Sequence, residues 1–518
     1  MRRTGLLSLG LCSFLVAGCA SVGPDYVSPR LANEGGELLP EIPQPDAGDP
    51  LLLTSENASQ DWWGWFGSED LNRLVEAGFA DNPSLSAARA RLTQAAFLLR
   101  AEEGLEYPEI AANANANRQL FGSGGFAAGG AGAGGGGNRP FTVYSGQLTV
   151  DYNLDPFGRE DRQIETAAAQ LAAARAEAQS AYLTLAGNIV STAIEIAAIR
   201  RRLDVTGQLV EGQSDLVELV RLRLEEGYSA RAELVAAQAR VGQLKAGLPL
   251  LTRELQLAET RLAILIGRVP VQAELPDLEL ADLEMPATIP VTIPSTLVRE
   301  RPDIRAAEAR LATASAQVGV ATANLYPDFT LSGAVGANGI TGPGIGPTLD
   351  FIYSAGVGLL APIFQGGRLR AQRDAQVAAY KASLSEYQEV VLNALGEVTD
   401  GIQAVEADGQ VLRERLQALD AAQESLDLAI LRYREGAASL FEVFEVEQTY
   451  QDARLGLVDA AALQLQDTAG LLAAMSAGPA DSDVLDRMTG AEAVADTRRA
   501  LEEGRPASAL PPATRIGK

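Results

Sequence analysis

Residues 141–154 read FTVYSGQLTVDYNL, with Tyr144, Gly146, Leu148, Val150, Tyr152 and Leu154 on one face and Ser145, Gln147, Thr149, Asp151 and Asn153 on the other. That period of two is a β-strand with one apolar side. Just beyond it the period changes. Tyr182, Ile189, Ile196, Leu203, Val210, Val217 and Leu224 recur at every seventh position. Sustained heptads mark a helix packed as a coiled coil. An outgoing helix from about 160 to 226 would be about 100 Å long at 1.5 Å per residue, longer than any compact domain requires.

The same reading returns further along the chain. Pro83–Ser84–Leu85, Ala90–Arg91–Leu92 and Leu105–Glu106–Tyr107–Pro108 match Pro302–Asp303–Ile304, Ala309–Arg310–Leu311 and Asn324–Leu325–Tyr326–Pro327 at an offset of 219. Gly158–Arg159 matches Gly367–Arg368, and Glu226–Gly227 matches Glu435–Gly436, both at an offset of 209. The chain is a tandem duplication, and the extra residues of the first copy fall at its glycine tract 122–137. The second heptad series runs Val377, Leu384, Val391, Val398, Val405, Leu412, Leu419, Leu426, Tyr433, in register with the first. Return helices carry Leu234, Val241, Leu248, Leu255 and Leu262, then Phe444, Val458, Leu465 and Leu472. Pro249 interrupts the first of these, where a kink is expected. Gly227 and Gly436 mark the tight turns between outgoing and returning helices.

Three more stretches alternate. Asn113, Asn115, Asn117 and Gln119 interleave with Ala112, Ala114 and Ala116; Phe329, Leu331 and Val335 interleave with Asp328, Thr330 and Ser332. In 351–363, Phe351, Tyr353, Val357 and Leu359 share one side, with Ser354, Gly356 and Gly358 opposite. Segments of about ten such residues are the signature of membrane β-strands, apolar to lipid and polar to a lumen. Pattern alone leaves a soluble, half-buried sheet open. The strand count argues against it, because four strands cannot close a barrel and an open edge cannot sit in lipid. Three chains pooling their strands would give twelve. The loops 122–139 and 338–349 would then lie at the barrel end remote from the helices. The glycine tract lacks the Gly-Lys-Ser/Thr ending of a phosphate cradle and reads as a surface loop.

Composition narrows the function classes. The 518 residues carry 42 Lys+Arg, 67 Asp+Glu, no His and two Cys, for a net charge of −25. Nucleic-acid binding has no electrostatic footprint here, and imidazole triads or HExxH zinc sites are excluded. Residues 1–18 read as a secretory signal, with Arg2 and Arg3 before an apolar stretch too short to span a bilayer. It ends Val16–Ala17–Gly18–Cys19, which resembles a bacterial lipobox, so Cys19 is the expected lipidated N-terminus. Cys12 leaves with the signal, so thiolate catalysis and Cys-metal sites go too. After Cys19 come Ala20 and Ser21; the missing Asp favours the outer over the inner membrane, by resemblance to sorted lipoproteins.

Short motifs then fall in a particular order: Val22–Gly23–Pro24–Asp25–Tyr26, Trp62–Trp63–Gly64–Trp65–Phe66, Leu265–Ile266–Gly267–Arg268, and Ile293–Pro294–Ser295 leading to Arg299–Glu300–Arg301–Pro302–Asp303–Ile304. With the duplication, they make the chain resemble, almost end to end, an outer-membrane factor of the TolC type, in the NodT-like efflux lipoprotein branch. The resemblance implies an α+β membrane protein, internally duplicated. A long coiled-coil α-helical barrel would adjoin a transmembrane β-barrel that trimerisation completes. The expected divisions are signal peptide 1–18, lipidated segment 19–67, helices 68–107, β-hairpin 108–157, helical hairpin 158–268 and linker 269–300. The second copy follows as helix 301–325, β-hairpin 326–365 and helical hairpin 366–476, with a tail 477–518. An equatorial belt would come from the N-terminal segment, the region near 268–300 and the tail. The Trp cluster reads as core or interface packing.

The resemblance also places the gate and the docking site at the helical tips. Glu442 and Glu445 stand six and nine positions after Gly436, where relatives carry pore-facing acids, and Glu233 matches the first spacing after Gly227. Threefold symmetry would make each a carboxylate ring, attracting cations; a solvated tip is the plainer reading of the same charges. Tyr433 falls where relatives have a gate-locking Tyr. Ala438 stands where some have Arg, so no salt-bridged lock is expected from it. Adaptor docking is expected around 223–233 and 432–445, with Arg223, Arg432, Gly227 and Gly436. The implied partners are two further copies of the chain, a periplasmic adaptor, an inner-membrane pump such as an RND transporter, and outer-membrane lipid. No nucleic acid, metal or cofactor beyond the covalent lipid is expected. The chain would be a passive exit duct in a tripartite efflux system; protein secretion and a non-transporting structural lipoprotein are the alternatives. For a periplasmic enzyme the sequence offers no nucleophile–base pair.

Overall fold

The four alternating segments form one antiparallel sheet, β2 (Glu109–Gln119), β3 (Phe141–Leu154), β5 (Asp328–Gly342) and β6 (Ile345–Leu360), in that order across the sheet. The structure, a computed structural model, describes residues 21–29, 51–55 (backbone only), 61–120, 140–292, 300–342 and 345–476. Cys19, the signal peptide, the glycine tract, the stretch 293–299 and the tail 477–518 lie outside the described residues.

Register makes the sheet two-sided. Ala112 lies opposite Leu148, Leu148 opposite Val335, and Val335 opposite Tyr353. Further along the same face, Leu154, Phe329 and Leu359 line up, as do Tyr152, Leu331 and Val357. Asn113, Gln147 and Gly336 fall on the other side, as do Asp151 and Ser332. Because side chains alternate strictly, these pairings give one continuous apolar face and one polar face. The apolar face is uncovered: Phe351 is 72% and Tyr353 82% exposed. Leaving side chains of that size in water forfeits about 1.5–3 kcal/mol each, so this face requires an apolar surrounding. Strand β2 and strand β6 are the two open edges.

The strand limits correct two expectations. Residues 338–342 and 345–349 belong to the ladder, with Gly339 opposite Leu349 and Gly342 opposite Ile345, so no loop spans 338–349. The last strand ends at Leu360 rather than Ile363, where Pro362 has no N–H to give a ladder.

The described residues fall into two compact units, one within the bounds 1–28, 95–172 and 309–385, the other within 29–94, 173–308 and 386–518. The sheet belongs to the first. Helices α1 (Glu69–Asp81), α2 (Pro83–Glu103), α3 (Arg159–Glu225), α4 (Arg231–Leu265), α5 (Pro302–Ala323), α6 (Arg368–Arg434) and α7 (Leu440–Ala474) complete the element order. Helices α3 and α6 are each 67 residues long. Helix α4 runs unbroken through Pro249, which therefore does not interrupt it.

In the second unit Ser68 caps α1 by accepting the Leu71 N–H, 3.4 Å away. Asn82 caps α2, accepting from Ser84 and Leu85, and donates to the Leu265 carbonyl at 2.7 Å. Trp62 and Phe66 are fully buried in a 3-10 turn, and Trp63 meets Phe79 and Tyr182 edge-on, so the Trp cluster is core. A parallel strand pair absent from the sequence reading joins β1 (Leu51–Ser55) to β4 (Thr288–Thr292).

Heptad burial differs between the copies. In α6, Val391, Val398, Val405, Leu426 and Tyr433 are buried at the expected spacing, while Val377, Leu384, Leu412 and Leu419 are half-buried. In α3, Tyr182, Ile189 and Ile196 are buried, but further on Leu209, Leu216 and Val220 take over from Val210, Val217 and Leu224. Leu209 and Leu216 each precede the strict heptad position by one residue, so the face that this stretch of α3 buries is turned by about 100° from the expected one.

Candidate functional site at the helical tips

Both turns of the helical hairpins lie in the second unit and share one C-terminal geometry. Gly227 and Gly436 have φ of +81° and +77°. The Tyr228 N–H reaches the Arg223 carbonyl and the Gly227 N–H that of Leu224; Ala437 and Gly436 repeat this with Arg432 and Tyr433. These are Schellman closures, and they need a left-handed residue at the glycine position.

Arg223 joins the two turns. Its guanidinium donates to the carbonyls of Tyr433 (2.6 Å) and Arg434 (3.0 Å), and lies 4.5 Å over the Tyr433 ring. A cation at a helix C-terminus meets the negative end of its dipole, and the ring adds a cation–π contact. Tyr433 is 2% exposed, and its hydroxyl pairs with Ser229 at 3.2 Å. Around it Leu216, Val220, Ala429, Leu440 and Val443 form a buried cluster, with Ala438 packed at its side.

The carboxylates are placed differently from one another. Glu442 is held by Arg432 at 2.6 Å, within its own turn. Its N–H is capped by Ser439. Glu445 is exposed, and Glu233 is half-buried in the first turn of α4. Exposed aromatics flank them: Tyr228 after the first glycine and Phe441 in the second hairpin.

One layer behind the cluster lies a carboxyl that the sequence reading missed. Glu447 is buried on α7, and burial pushes it up to about 7 against the opposing effects of Arg240 and Gln451. The Gln451 amide donates to it, and so does Gln213 of α3 with its amide turned to donate. Arg240 itself bonds Gln448 at 2.8 Å and the Phe444 carbonyl. A sequence signal existed: Leu440, Val443, Glu447 and Gln451 continue one 3-4 seam, where a charged residue is out of place. Further along, burial and then neighbouring Asp467 push Asp408 up to about 6. Among the described residues no cluster suits a metal ion.

The profile of the family described as outer membrane efflux protein matches residues 74–268 and 293–477. The pyoverdine export outer membrane protein OpmQ of Pseudomonas aeruginosa is 30% identical over 470 residues, covering 90% of this chain and 96% of that protein. Nodulation protein T of Rhizobium leguminosarum bv. trifolii is 28% identical, covering 86% and 92%. The solved outer-membrane channel OprN superposes with a TM-score of 0.79 at 27% identity, over 89% of this chain and 99% of that one.

Proposed function

The chain belongs to the outer membrane efflux protein family and is an outer-membrane efflux channel, and from that premise we propose that three copies form one passive exit duct. The observation that carries this is the sheet: four strands, two open edges, one apolar face and one polar face. Open edges in lipid need partners, and only closure by further copies supplies them. Three copies give twelve strands with the polar face lining a lumen. Helix α4 adds a second argument, since Leu250, Leu257 and Ile264 form an exposed apolar stripe at seven-residue spacing, the seam a neighbouring helix would cover.

In this reading the tips are the periplasmic gate. Tyr433 and Arg223 hold the turns together, and Glu233, Glu442 and Glu445 would contribute carboxylate rings at the constriction. Glu442 is the most restrained of the three because Arg432 holds it. Tyr228 and Phe441 offer apolar knobs for a periplasmic adaptor, beside Arg223 and Arg432, with Gly227 and Gly436 shaping the surface. Energy would come from an inner-membrane pump such as an RND transporter; the chain itself would only conduct. Cys19 would carry the lipid that anchors the chain to the outer membrane. The test is the mass of the purified complex in mild detergent. Three chains per particle are expected, and a stable monomer or dimer would overturn the trimeric duct.

A further inference from the structure

The segment Val22–Tyr26 has no part in the sheet, the heptads or the tips, yet it is fixed by an unusually specific set of contacts. The Val22 N–H donates to the Phe157 carbonyl at 3.0 Å, and Arg162 Nε donates to the Val22 carbonyl at 3.4 Å. Arg162 also pairs with Asp25 and with Glu165, each at 2.6 Å, while its own side chain is 5% exposed. Three glycines make room for this. Gly23 has a φ of +102°, and a Cβ on it would lie 2.6 Å from Gly319 Cα. A Cβ on Gly319 would meet the Arg162 side chain at 2.8 Å, and one on Gly158 would collide with Ser21. Stretches around 21–25, 158–165 and 319 thus converge on one buried guanidinium. Asp25 is largely exposed, so solvent screens its ion pair. The backbone bonds and the glycine contacts carry the rest of the hold.

The place of these contacts gives them a use. Phe157, stacked on Tyr326 with centroids 4.8 Å apart, lies between the end of β3 at Leu154 and the start of α3 at Arg159, where the apolar sheet face stops. Ser21 lies against Gly158 at this rim. It stands two positions after Cys19, at most about 7 Å of chain.

We propose that residues 21–26 are a clamp that sets where the N-terminal lipid leaves the protein, holding it at the rim of the sheet so that the acyl chains and the apolar strand face enter the same leaflet. Arg162 is its positioning residue. The proposal rests on lipidation of Cys19, and the test separates the two. Six Gly/Ser residues inserted between Ala20 and Ser21 leave every clamp contact in place but lengthen the tether by about 20 Å, more than the roughly 15 Å of one hydrocarbon leaflet. Asp25→Arg, at an exposed position, opposes Arg162 instead of pairing with it; Asp25→Glu preserves the pair. Each variant is made in the lipidated protein and in a Cys19→Ala chain exported through an ordinary cleavable signal. The readout is the assembled fraction in outer membranes.

The insertion and Asp25→Arg should each lower assembly several-fold in the lipidated protein, because a longer or looser tether dilutes the sheet at the membrane. Asp25→Glu should match the parent, and Asp25→Arg should have no further effect without the lipid. Assembly unchanged by the insertion, or an equal loss in both backgrounds, would overturn the clamp and leave the lipid in place. An N-terminal peptide found without acyl chains by mass spectrometry would instead remove the lipid, and the proposal with it.

Discussion

The two helical tips descend from one sequence and close with the same Schellman geometry, but they hold themselves by different means. The first, Gly227–Tyr228–Ser229–Ala230, enters α4 without a side-chain cap. The second, Gly436–Ala437–Ala438–Ser439, enters α7 with Ser439 capping the Glu442 N–H, and adds the Arg432–Glu442 pair. Behind the turns the contrast repeats. At the shared offset of 209, Glu447 and Gln451 of the second copy correspond to Gln238 and Gly242 of the first, and Asp408 and Asp467 to Ile199 and Ala258. Helix α7 is the more buried of the two return helices, and α4 keeps an apolar stripe exposed. Duplication supplied one scaffold; divergence made the second hairpin the polar, internally held one and left the first with the face that further copies would cover.

Disruption of the bridge between the tips should have the largest effect. Tyr433→Ala removes a buried ring and the platform under Arg223, at a cost of about 3–5 kcal/mol by analogy with other buried aromatics. Hydrogen exchange over 432–445 should rise steeply, and over 223–233 as well if the tips are coupled. Tyr433→Phe, which loses only the Ser229 bond, should cost about 1 kcal/mol.

Glu447 places a titratable carboxyl inside the return helix of the second hairpin, where the first has Gln238. Its carboxyl is raised from 4.5 to about 7 in the folded chain. Between those values the folded state keeps a proton that the unfolded chain has released, so stability falls as pH rises from about 4.5 to 7. Asp408, raised from 3.8 to about 6, acts in the same direction. Exchange protection in α7 should therefore be greater at pH 5 than at pH 8, and Glu447→Gln should remove most of that difference. Equal slopes in the parent and the variant would show that Glu447 does not titrate in this window.

Smaller effects sharpen the comparison. Ser439→Ala should cost the second tip about 1 kcal/mol, and Ala230→Ser should give the first a comparable gain, both visible in local exchange. Glu442→Gln should cost less than about 1 kcal/mol, because the Arg432 pair is solvent-exposed, and that cost should shrink in high salt.

Much of this was legible in the sequence for a definite reason: periodicity repeats. The two-faced strands, the heptads and the turning glycines each announce themselves several times, twice over in a duplicated chain. What stayed hidden depends on single tertiary contacts. Strands β1 and β4 are five residues each, and β4 contains Pro290, so neither has a periodic signature. Arg223 was legible as a tip residue, but its partners Tyr433 and Arg434 lie 210 and 211 residues away. Glu447 was passed over because charge on a coiled coil normally means solvent; its seam position was the cue. Leu209 rather than Val210 is buried because it packs with Val205 and Val458, a contact that a count of seven along one helix does not contain.

Single-channel conductance in planar bilayers tests the central claim most directly, comparing the purified protein with its Arg223→Ala variant. That variant removes the guanidinium that caps the Tyr433 and Arg434 carbonyls, and leaves the sheet untouched. A duct closed at its tips predicts small or rare openings in the parent and a larger conductance in the variant. Assembled protein that stays silent in both forms would contradict a channel gated by these hairpins.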